Sequence, residues 1–404
     1  MDYSYFISPH ASRRRPAITR ELTKLHYTVA PDAISLAEGM PNETTFPFEE
    51  IQIRLKNGQH LLLHDQELSA GLQYIPTQGY PPLLNTLKEF TLKIHQPPAW
   101  DRSDIIITNG SQDGISKTIE MCVQEFDCVL VPNPLYAGIE IILKPYRAHL
   151  IPMEQDEFGI IPHLLRRTLE ELHHKCLTNP LIKMPKLMYV NPTGANPSGA
   201  TMTADRQREI YMIACKYNIL ILEDDPYCFI HFLDQTPSSF LSLDTEGRVM
   251  RFDSFSKILS SGLRVGWVTG PKQLITAVEL HIQSASLHSS TLSQVIVNKL
   301  LNSWGMEKLL EHFEFVRHYY KARRDLTLVA MERHLTGLAE WTVPSAVIFA
   351  PGHAFMVDPS EPCNYIRASF SKATPKNIDI AFARLAELIR EEKALLLRKL
   401  ENCT

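Results

Sequence analysis

Between residues 104 and 269, short apolar runs alternate with longer segments of helical period, and this pattern constrains the fold more than any other feature of the sequence. Runs with little polar alternation are typical of strands that are buried on both faces of a parallel sheet. One intervening helix is predicted after Thr203, a hydroxyl N-cap that precedes periodic apolar residues. The pattern predicts an α/β fold with a three-layer, doubly wound, mostly parallel sheet, and ligands of such sheets collect at the carboxyl ends of the strands. The strand candidates are residues 105–108, 128–131, 186–190, 219–222, 249–252 and 265–268.

The composition is that of an ordinary globular protein. The chain has 404 residues, of which 44% are hydrophobic and 21% are charged, and its formal net charge is -4. A charge so close to neutral gives no indication of binding to nucleic acid or to a membrane surface, and no apolar run approaches the roughly 18 residues of a spanning helix. Seven cysteines without a C-x-x-C pair indicate free thiols and a reducing compartment.

The pattern changes along the chain and divides it into three segments. Residues 51–306 carry the predicted sheet and form the large domain, while residues 307–404 form a smaller α+β domain that residues 1–50 are expected to join. The last helix is predicted to begin at Thr374 and Pro375, as an N-cap followed by proline at N1. The basic run of residues 13–15 is typical of a mitochondrial presequence, which favours the mitochondrial matrix. An exposed basic N-terminus in a cytoplasmic protein explains the run equally well.

A lysine stands in a serine-rich loop directly after the predicted strand 249–252. Ser254, Ser256 and Lys257 follow that strand, and Arg264 comes seven residues after the lysine. A lysine in such a loop is most often a solvated surface residue. However, an aldehyde cofactor that bears a phosphate needs these same groups: an amine to form an imine, and hydroxyls with a guanidinium for the phosphate oxygens. The loop therefore predicts a phosphate-bearing cofactor at Lys257.

Three consecutive carboxylates, Glu223, Asp224 and Asp225, follow the buried strand 219–222, with Tyr227 close behind them. Carboxylates at the end of a buried strand are costly unless they are paired. A pyridinium N–H is a suitable partner, and a carboxylate held there keeps the ring protonated as an electron sink. A helix cap or a metal ligand would also explain the motif, but no His/Cys cluster accompanies it to hold a metal.

Two further loops follow predicted strands. Residues 109–112, Asn-Gly-Ser-Gln, precede a helix whose free N–H groups suit a phosphate, although Ser111 also suits the N-cap position. Residues 196–199, Asn-Pro-Ser-Gly, follow the strand 186–190, and a similar Asn-Pro-Thr-Gly occupies residues 191–194. Such sequences are most often only turns. The pattern alone does not decide which of the two asparagines faces a ligand.

The order and spacing of these four signals resemble the class-I aminotransferases of fold type I, which are pyridoxal-phosphate enzymes. The resemblance covers residues 3–389 and includes residues 34–37, 72–74, 248–270 and 367–371. It implies an aspartate-aminotransferase-like large domain, a pyridoxal 5′-phosphate cofactor, no metal, and a homodimer. The similarity further implies transfer of the amino group of L-2-aminoadipate or L-kynurenine to a 2-oxo acid such as 2-oxoglutarate.

The resemblance also implies the cofactor contacts, residue by residue. Lys257 is expected to hold the cofactor as a Schiff base and to move the proton of the substrate Cα. Asp224 is expected to pair with the pyridine nitrogen, while Tyr227 and Asn196 donate to the ring oxygen and Tyr136 stacks on the ring. The implied phosphate ligands are Ser111, Gln112, Ser254, Ser256, Arg264 and, from the neighbouring subunit, Tyr74.

The substrate contacts are implied in the same way. Arg367 is expected to clamp the α-carboxylate through two parallel hydrogen bonds. Arg20 is similar to a mobile N-terminal arginine that pairs with a side-chain carboxylate and moves aside for an aromatic ring. The remaining expected substrate contacts are Gly39, Tyr74 and Asn196.

One departure from the family pattern lies at Ala346/Val347. Relatives carry a strand, a helix and their loops at this point, on the order of 25 residues, which this sequence lacks. We expect the shortened small domain to reduce turnover more than cofactor binding. Two alternatives therefore stand beside transamination: an impaired form that still binds the cofactor or dimerises, and β-elimination from cysteine conjugates on the same scaffold.

Overall fold

The computed structural model describes residues 1–28, 39–341, 350–351, 355–358, 360, 363 and 365–401. The predicted gap at Ala346/Val347 lies outside these residues. Among the described helices, none combines the length and the apolar character that a membrane span requires.

The described strands form one large sheet of eight strands and two small sheets of two strands each. Their bounds are β1 (Glu50–Arg54), β2 (His60–His64), β3 (Ser103–Thr108), β4 (Cys128–Asn133), β5 (His149–Asp156), β6 (Gly159–Ile160), β7 (Leu187–Val190), β8 (Leu220–Asp224), β9 (Val249–Ser254), β10 (Gly266–Pro271), β11 (Ala350–Pro351) and β12 (Ile366–Arg367).

The α-helices lie between these strands and after them. Their bounds are α1 (Ile18–His26), α2 (Asp65–Leu72), α3 (Pro81–His95), α4 (Ser111–Cys122), α5 (Ala137–Leu143), α6 (Pro162–Thr178), α7 (Ala204–Lys216), α8 (Phe240–Leu243), α9 (Lys272–Ala285), α10 (Thr291–Leu335) and α11 (Pro375–Glu401).

The large sheet confirms the predicted three-layer α/β fold, and all six predicted strands belong to it. Its strand order is β3-β10-β9-β8-β7-β4-β5-β6. Successive side chains of a strand point to opposite faces. Leu220 and Leu222 accordingly pack with α4, α5 and α9, whereas Ile219 and Ile221 pack on the other face with α6 and α7. Both faces are therefore covered, which explains why these strands lack polar alternation.

The register of the sheet brings the predicted site loops together at the carboxyl ends of β7, β8 and β9. β7, β8 and β9 run parallel, with Val190 opposite Glu223 and Asp224 opposite Phe252, so these strands end side by side. β10 runs antiparallel between β9 and β3, and its first residue, Gly266, lies opposite both Ser254 and Thr108. The loops that follow β3, β7, β8 and β9 consequently meet where β10 begins.

The C-terminal region, defined as residues 307–401 as far as they are described, packs around α10 and α11. α10 is broken at Gly305, whose φ is 67°, and its second half lies within the predicted smaller domain. α11 begins at Pro375 as predicted, and Thr374 Oγ1 accepts a hydrogen bond of 3.2 Å from the Asn377 N–H. In the part of this region that the structure describes, β11 and β12 pair with each other in antiparallel orientation.

Described residues near the N-terminus contact helices that cover the large sheet, and the expected joining of residues 1–50 to the smaller domain stays a prediction. Phe6 is fully buried in the core cluster that contains Ile115 and Ile119 of α4. Arg14 pairs with Glu120 of α4 at 2.9 Å. These contacts arise because apolar residues near the N-terminus cover α4, so the basic run lies in a segment that is part of the folded chain. The domain boundaries at residues 50 and 306 stay predictions.

Candidate active site

Of the three consecutive carboxylates at the end of β8, two form ion pairs with Arg251. It is fully buried on the neighbouring strand β9, and its Nη1 lies 2.9 Å from Glu223 Oε1 and 3.5 Å from Asp225 Oδ2. Its Nη2 lies 2.9 Å from Asp253 Oδ1. Because side chains alternate along a strand, Asp224 points to the opposite face. Glu223 and Asp225 are thus paired within the protein, as buried charges require, and Asp224 remains for another partner.

Asp224 is buried, and only one of its two carboxylate oxygens is bonded within the described chain. Its Oδ2 accepts a hydrogen bond of 2.7 Å from the Tyr189 hydroxyl, whereas its buried Oδ1 has no hydrogen-bond partner there. Burial raises the pKa of Asp224 to about 6, and the Tyr189 hydrogen bond opposes this rise. A buried carboxylate oxygen without a donor costs free energy. The N–H of a protonated pyridine ring supplies the missing donor, so this residue fits pyridoxal phosphate.

Lys257 lies in a short 3-10 turn, Phe255–Lys257, at the end of β9. Its side chain remains open to the cavity, and its Nζ lies 5.9 Å from the centroid of the Tyr227 ring. Desolvation lowers the pKa of the Lys257 amine, the Asp224 carboxylate opposes this, and the Arg264 and Arg367 guanidiniums lower it further. A lowered pKa increases the fraction of neutral amine, which is the form that attacks an aldehyde.

Arg264 organises an anion site between β9 and the start of α4. Its Nη1 donates to Ser256 Oγ at 3.2 Å, and its Nη2 donates to the Asn109 carbonyl oxygen at 2.9 Å. Ser254 Oγ lies 2.9 Å from Ser256 Oγ, so both predicted serines are beside the guanidinium. Two hydroxyls, a guanidinium and the N-terminal N–H groups of a helix together suit a phosphate.

Two glycines permit this close approach. Gly110 has a φ of 83°, and a Cβ at this position would overlap the Arg264 guanidinium. A Cβ on Gly266 would lie 2.7 Å from the backbone nitrogen of Ser111. The N-cap of α4 is Gly110 and not Ser111, so the interpretation of Ser111 as an N-cap is wrong. Ser111 instead occupies the first helical position, beside the anion site.

A cavity in front of Lys257 is also lined by Asn196, Tyr227 and Arg367. Arg367, on β12, donates to Asn196 Oδ1, and its guanidinium lies 4.7 Å from the Phe355 ring centroid. Burial raises the pKa of Tyr227 to about 12, and the Asp224 carboxylate contributes to the rise. The structure thereby brings together residues from β8, β9, β12 and the loop after β7.

Tyr136 lies at the N-cap position of α5 and faces the same groups. Burial raises its pKa, the Asp224 carboxylate adds to the rise, and the Arg367 guanidinium opposes it. A Cβ on Gly138 would lie 2.5 Å from the Tyr136 ring, so the absence of a side chain there leaves room for the ring against the helix.

Comparison with known proteins decides the family. The model of the family "Aminotransferase class I and II" matches residues 33–385. This chain belongs to the class I and II aminotransferases. Members of this family are pyridoxal-phosphate-dependent transaminases.

The aminotransferase is similar in sequence to mammalian proteins. It is 41% identical to "Kynurenine/alpha-aminoadipate aminotransferase, mitochondrial" of Bos taurus, over 97% of this chain and 100% of the bovine protein. That alignment spans 423 residues, more than the 404 of this chain, so part of the bovine sequence has no counterpart here. The corresponding Mus musculus protein is 40% identical, over 97% of this chain and 100% of the murine protein.

Solved structures agree with the fold. The Pyrococcus horikoshii kynurenine aminotransferase, in complex with PMP, is 29% identical with a TM-score of 0.75, covering 97% of this chain and 98% of that one. The aromatic aminotransferase Aro9 of Candida albicans has a TM-score of 0.86, is 24% identical, and covers 98% of this chain and 99% of its own.

Four residues predicted for the site of the aminotransferase have other surroundings in the single chain. Gln112 Nε2 donates to the Gly138 carbonyl oxygen at 2.9 Å. Arg20 is buried, where it donates to Thr77 Oγ1 at 3.1 Å and to the Ile75 carbonyl oxygen. The side chain of Tyr74 is exposed, and open space surrounds the exposed Gly39.

Sequence reasoning missed Tyr189, which donates to Asp224 Oδ2, and Arg251, which pairs with Glu223 and Asp225. It left Asn191 as an alternative to Asn196, and Asn191 donates to the Asp224 carbonyl oxygen. A signal for Tyr189 was present, since it is a tyrosine within an otherwise apolar buried strand. Within the described residues no cluster of metal-ligating side chains was found.

Proposed function

We propose that this aminotransferase holds pyridoxal 5′-phosphate on Lys257 and transfers the amino group of L-2-aminoadipate or L-kynurenine to a 2-oxo acid such as 2-oxoglutarate. The observation that carries the proposal is the carboxylate oxygen of buried Asp224 that has no hydrogen-bond partner among the described residues, on a residue whose charge raises the pKa of the Lys257 amine. The choice of substrates rests on the names of the bovine and murine relatives.

Each residue of the site has its own proposed role. The bound cofactor supplies an electron sink for the charge that develops at the substrate Cα. Asp224 keeps the ring nitrogen protonated, and Tyr227 and Asn196 donate to the ring oxygen. Lys257 removes and returns the proton of the substrate Cα, a task that its lowered pKa favours. Ser111, Gln112, Ser254, Ser256 and Arg264 would hold the phosphate, with the Gln112 side chain released from the Gly138 carbonyl oxygen, and Tyr136 would stack on the ring.

The substrate enters between the large sheet and the C-terminal region. Arg367 binds the α-carboxylate, a role that a guanidinium performs with two parallel hydrogen bonds. Its hydrogen bond to Asn196 supports this role, because Asn196 is the residue proposed to donate to the ring oxygen. The apolar lining includes Ile230, Phe232 and Phe370, which suits an aliphatic or an aromatic substrate side chain.

A second copy of the chain completes the site in this proposal. Tyr74 is 41% exposed, and the Arg20 guanidinium binds the carbonyl oxygen of the next residue, Ile75. Buried Arg20 therefore lies next to the exposed Tyr74, and a homodimer would bring Tyr74 to the partner's phosphate, with Arg20 and Gly39 near the substrate side chain. Location in the mitochondrial matrix is proposed from the names of the relatives.

The test is the absorbance of the purified protein with pyridoxal phosphate. We expect a visible imine band that L-2-aminoadipate removes and 2-oxoglutarate restores. Lys257→Ala should abolish the band and lower turnover by about 10²–10⁴-fold, the usual contribution of a proton-transferring group. Lys144→Ala, a change at an exposed lysine, is the matched control and should retain both.

Other outcomes identify the alternatives. A band that survives Lys257→Ala contradicts the proposed attachment. Pyruvate and ammonia released from a cysteine conjugate without an acceptor acid identify a β-lyase. The bovine residues without a counterpart here favour the impaired form as second candidate. A normal imine band with no amino transfer, combined with loss of activity when the chain is mixed with active enzyme, would support it.

A further inference from the structure

The first of the two similar turns, residues 191–194, has no role in the proposed chemistry. Its first residue, Asn191, is 8% exposed and directly follows β7. In the described part of the chain, Asn196 of the second turn lines the cavity and Asn191 does not. The structure nevertheless gives Asn191 a specific set of contacts.

Both ends of the Asn191 carboxamide are bonded to cofactor-facing residues. Its Nδ2 donates to the Asp224 carbonyl oxygen at 2.5 Å, and its Oδ1 accepts from the Asn196 backbone N–H at 2.7 Å. The orientation of the carboxamide follows from chemistry, because a backbone carbonyl only accepts and a backbone N–H only donates. A single side chain thus joins two residues that lie 28 positions apart in the sequence.

The position of Asn191 explains why a side chain, and not the backbone, donates to the Asp224 carbonyl oxygen. The parallel pairing of β7 and β8 ends at Val190 and Glu223, one residue before Asn191 and Asp224. Pro192 comes next and has no backbone N–H to continue the ladder. The carboxamide supplies the donor that the backbone lacks, so Asp224 stays attached to β7 beyond the end of the regular pairing.

The same carboxamide also holds the second turn. With its backbone N–H on Asn191 Oδ1 and its side-chain Oδ1 on Arg367, Asn196 is held by two bonds. Its Nδ2 is then the atom left to donate to a ring oxygen. Asp224 and Asn196 are the residues proposed for two different atoms of one rigid ring, so the separation between them must match that ring.

We propose that Asn191 is a positioning residue, which fixes Asp224 and Asn196 relative to each other so that both reach the same cofactor ring. The inference rests on the proposed function. Asn191 itself touches neither the cofactor nor the substrate.

The test compares Asn191→Leu, which has similar volume and no hydrogen-bonding groups, with Tyr211→Phe. Tyr211 is the matched control, because its buried hydroxyl also donates one bond, to Asp244, and accepts one, from Glu246, but lies on α7 away from the cavity. We expect Asn191→Leu to weaken the cofactor's Kd about 10-fold, from the loss of two hydrogen bonds, and to shift the pH at which the imine band changes. Tyr211→Phe should lower thermal stability comparably and leave the Kd and the spectrum unchanged.

A double variant distinguishes a positioning role of Asn191 from a general loss of protein stability. With Asn196→Ala already present, the spectral effect of Asn191→Leu should become smaller, because part of what Asn191 positions is gone. If Asn191→Leu does not fold, Asn191→Ser, which admits water in place of the carboxamide, is measured in its place. An unchanged Kd and spectrum in the folded variant overturn the inference. Failure of the unmodified protein to form the imine overturns the proposed function instead.

Discussion

Asp224 and Arg367 reach the same cavity from strands of very different construction. Asp224 ends a five-residue strand that is buried along its whole length and paired on both sides. Within the described residues, Arg367 ends the two-residue strand β12, which pairs with the two described residues of β11. The Asp224 side of the cavity is therefore fixed by continuous backbone pairing, whereas the described backbone pairing on the Arg367 side spans two residues, and the Arg367 side chain also bonds to Asn196.

This difference suits the two ligands of a transaminase. The cofactor stays bound through many reaction cycles, and its site is best held rigid. Substrates and products exchange in every cycle, and a guanidinium on a short strand can adjust with little loss of structure. We therefore expect changes in the C-terminal region to affect substrate binding and changes at the sheet edge to affect cofactor binding.

Among the variants that test this comparison, Arg367→Leu should have the largest effect, a loss of kcat/KM. Loss of two charge-assisted hydrogen bonds to the α-carboxylate should lower kcat/KM for L-2-aminoadipate by about 100-fold. The cofactor's Kd should change no more than about threefold, because one neutral contact to Asn196 is lost. Steady-state kinetics and cofactor titration check the two values. Arg323→Leu removes a guanidinium that bonds within the C-terminal region, to the Ala373 carbonyl oxygen, and controls for local damage. Equal losses in both measurements would contradict the separation of the two sides.

A smaller effect is expected from Gly110→Ala compared with Gly305→Ala. Both glycines have positive φ, so each alanine should lower the free energy of unfolding by about 1–2 kcal/mol. Only the Cβ at position 110 meets the Arg264 guanidinium, since nothing lies within 4 Å of the one at position 305. We expect about a 10-fold weaker cofactor Kd for Gly110→Ala alone, from displacement of charge-assisted bonds. Denaturant unfolding and cofactor titration measure both quantities. Equal cofactor losses in the two variants would show that backbone strain, and not the anion site, is responsible.

The smallest effect is the pH dependence of Tyr189→Phe. The Tyr189 hydroxyl lowers the pKa of Asp224, which burial raises to about 6, so its removal raises that pKa further. The carboxylate then becomes protonated at a higher pH, and the acidic limb of cofactor binding should move upward. The expected loss of affinity is about threefold near pH 6 and vanishes near pH 8. Cofactor titrations across this range check the shift. A uniform loss at every pH would mean that Tyr189 acts only through packing.

Much of the fold could be predicted, because the buried strands are nearly continuous apolar runs. All six predicted strands and the caps at Thr203 and Thr374 are confirmed. β5 was missed since it lies near the sheet's edge and only one of its eight residues is buried, which removes the apolar signal. The hairpin of β1 and β2 was also missed. The break at Gly305 was not anticipated, because a single glycine within a helical pattern is usually tolerated.

The candidate site was predictable in its residue types but not in its geometry. The sequence placed three carboxylates at the end of β8, and only the family resemblance selected Asp224. The selection agrees with a contact that no local pattern contains, namely the pairing of Arg251 with Glu223 and Asp225. The contact of Arg367 with Asn196 joins positions 171 apart, beyond the reach of any motif. The assigned roles stay predictions.

The opposed directions of Asp224 and its two acidic neighbours restrict how this strand can change length. Insertion or removal of one residue within β8 would turn the following side chains to the opposite face of the sheet. Glu223 or Asp225 would then point into the cavity in place of Asp224, and Arg251 would lose an ion-pair partner. Only changes by even numbers preserve the parity of the strand. Length variation among relatives should therefore be confined to the connections before Leu220 and after Tyr227.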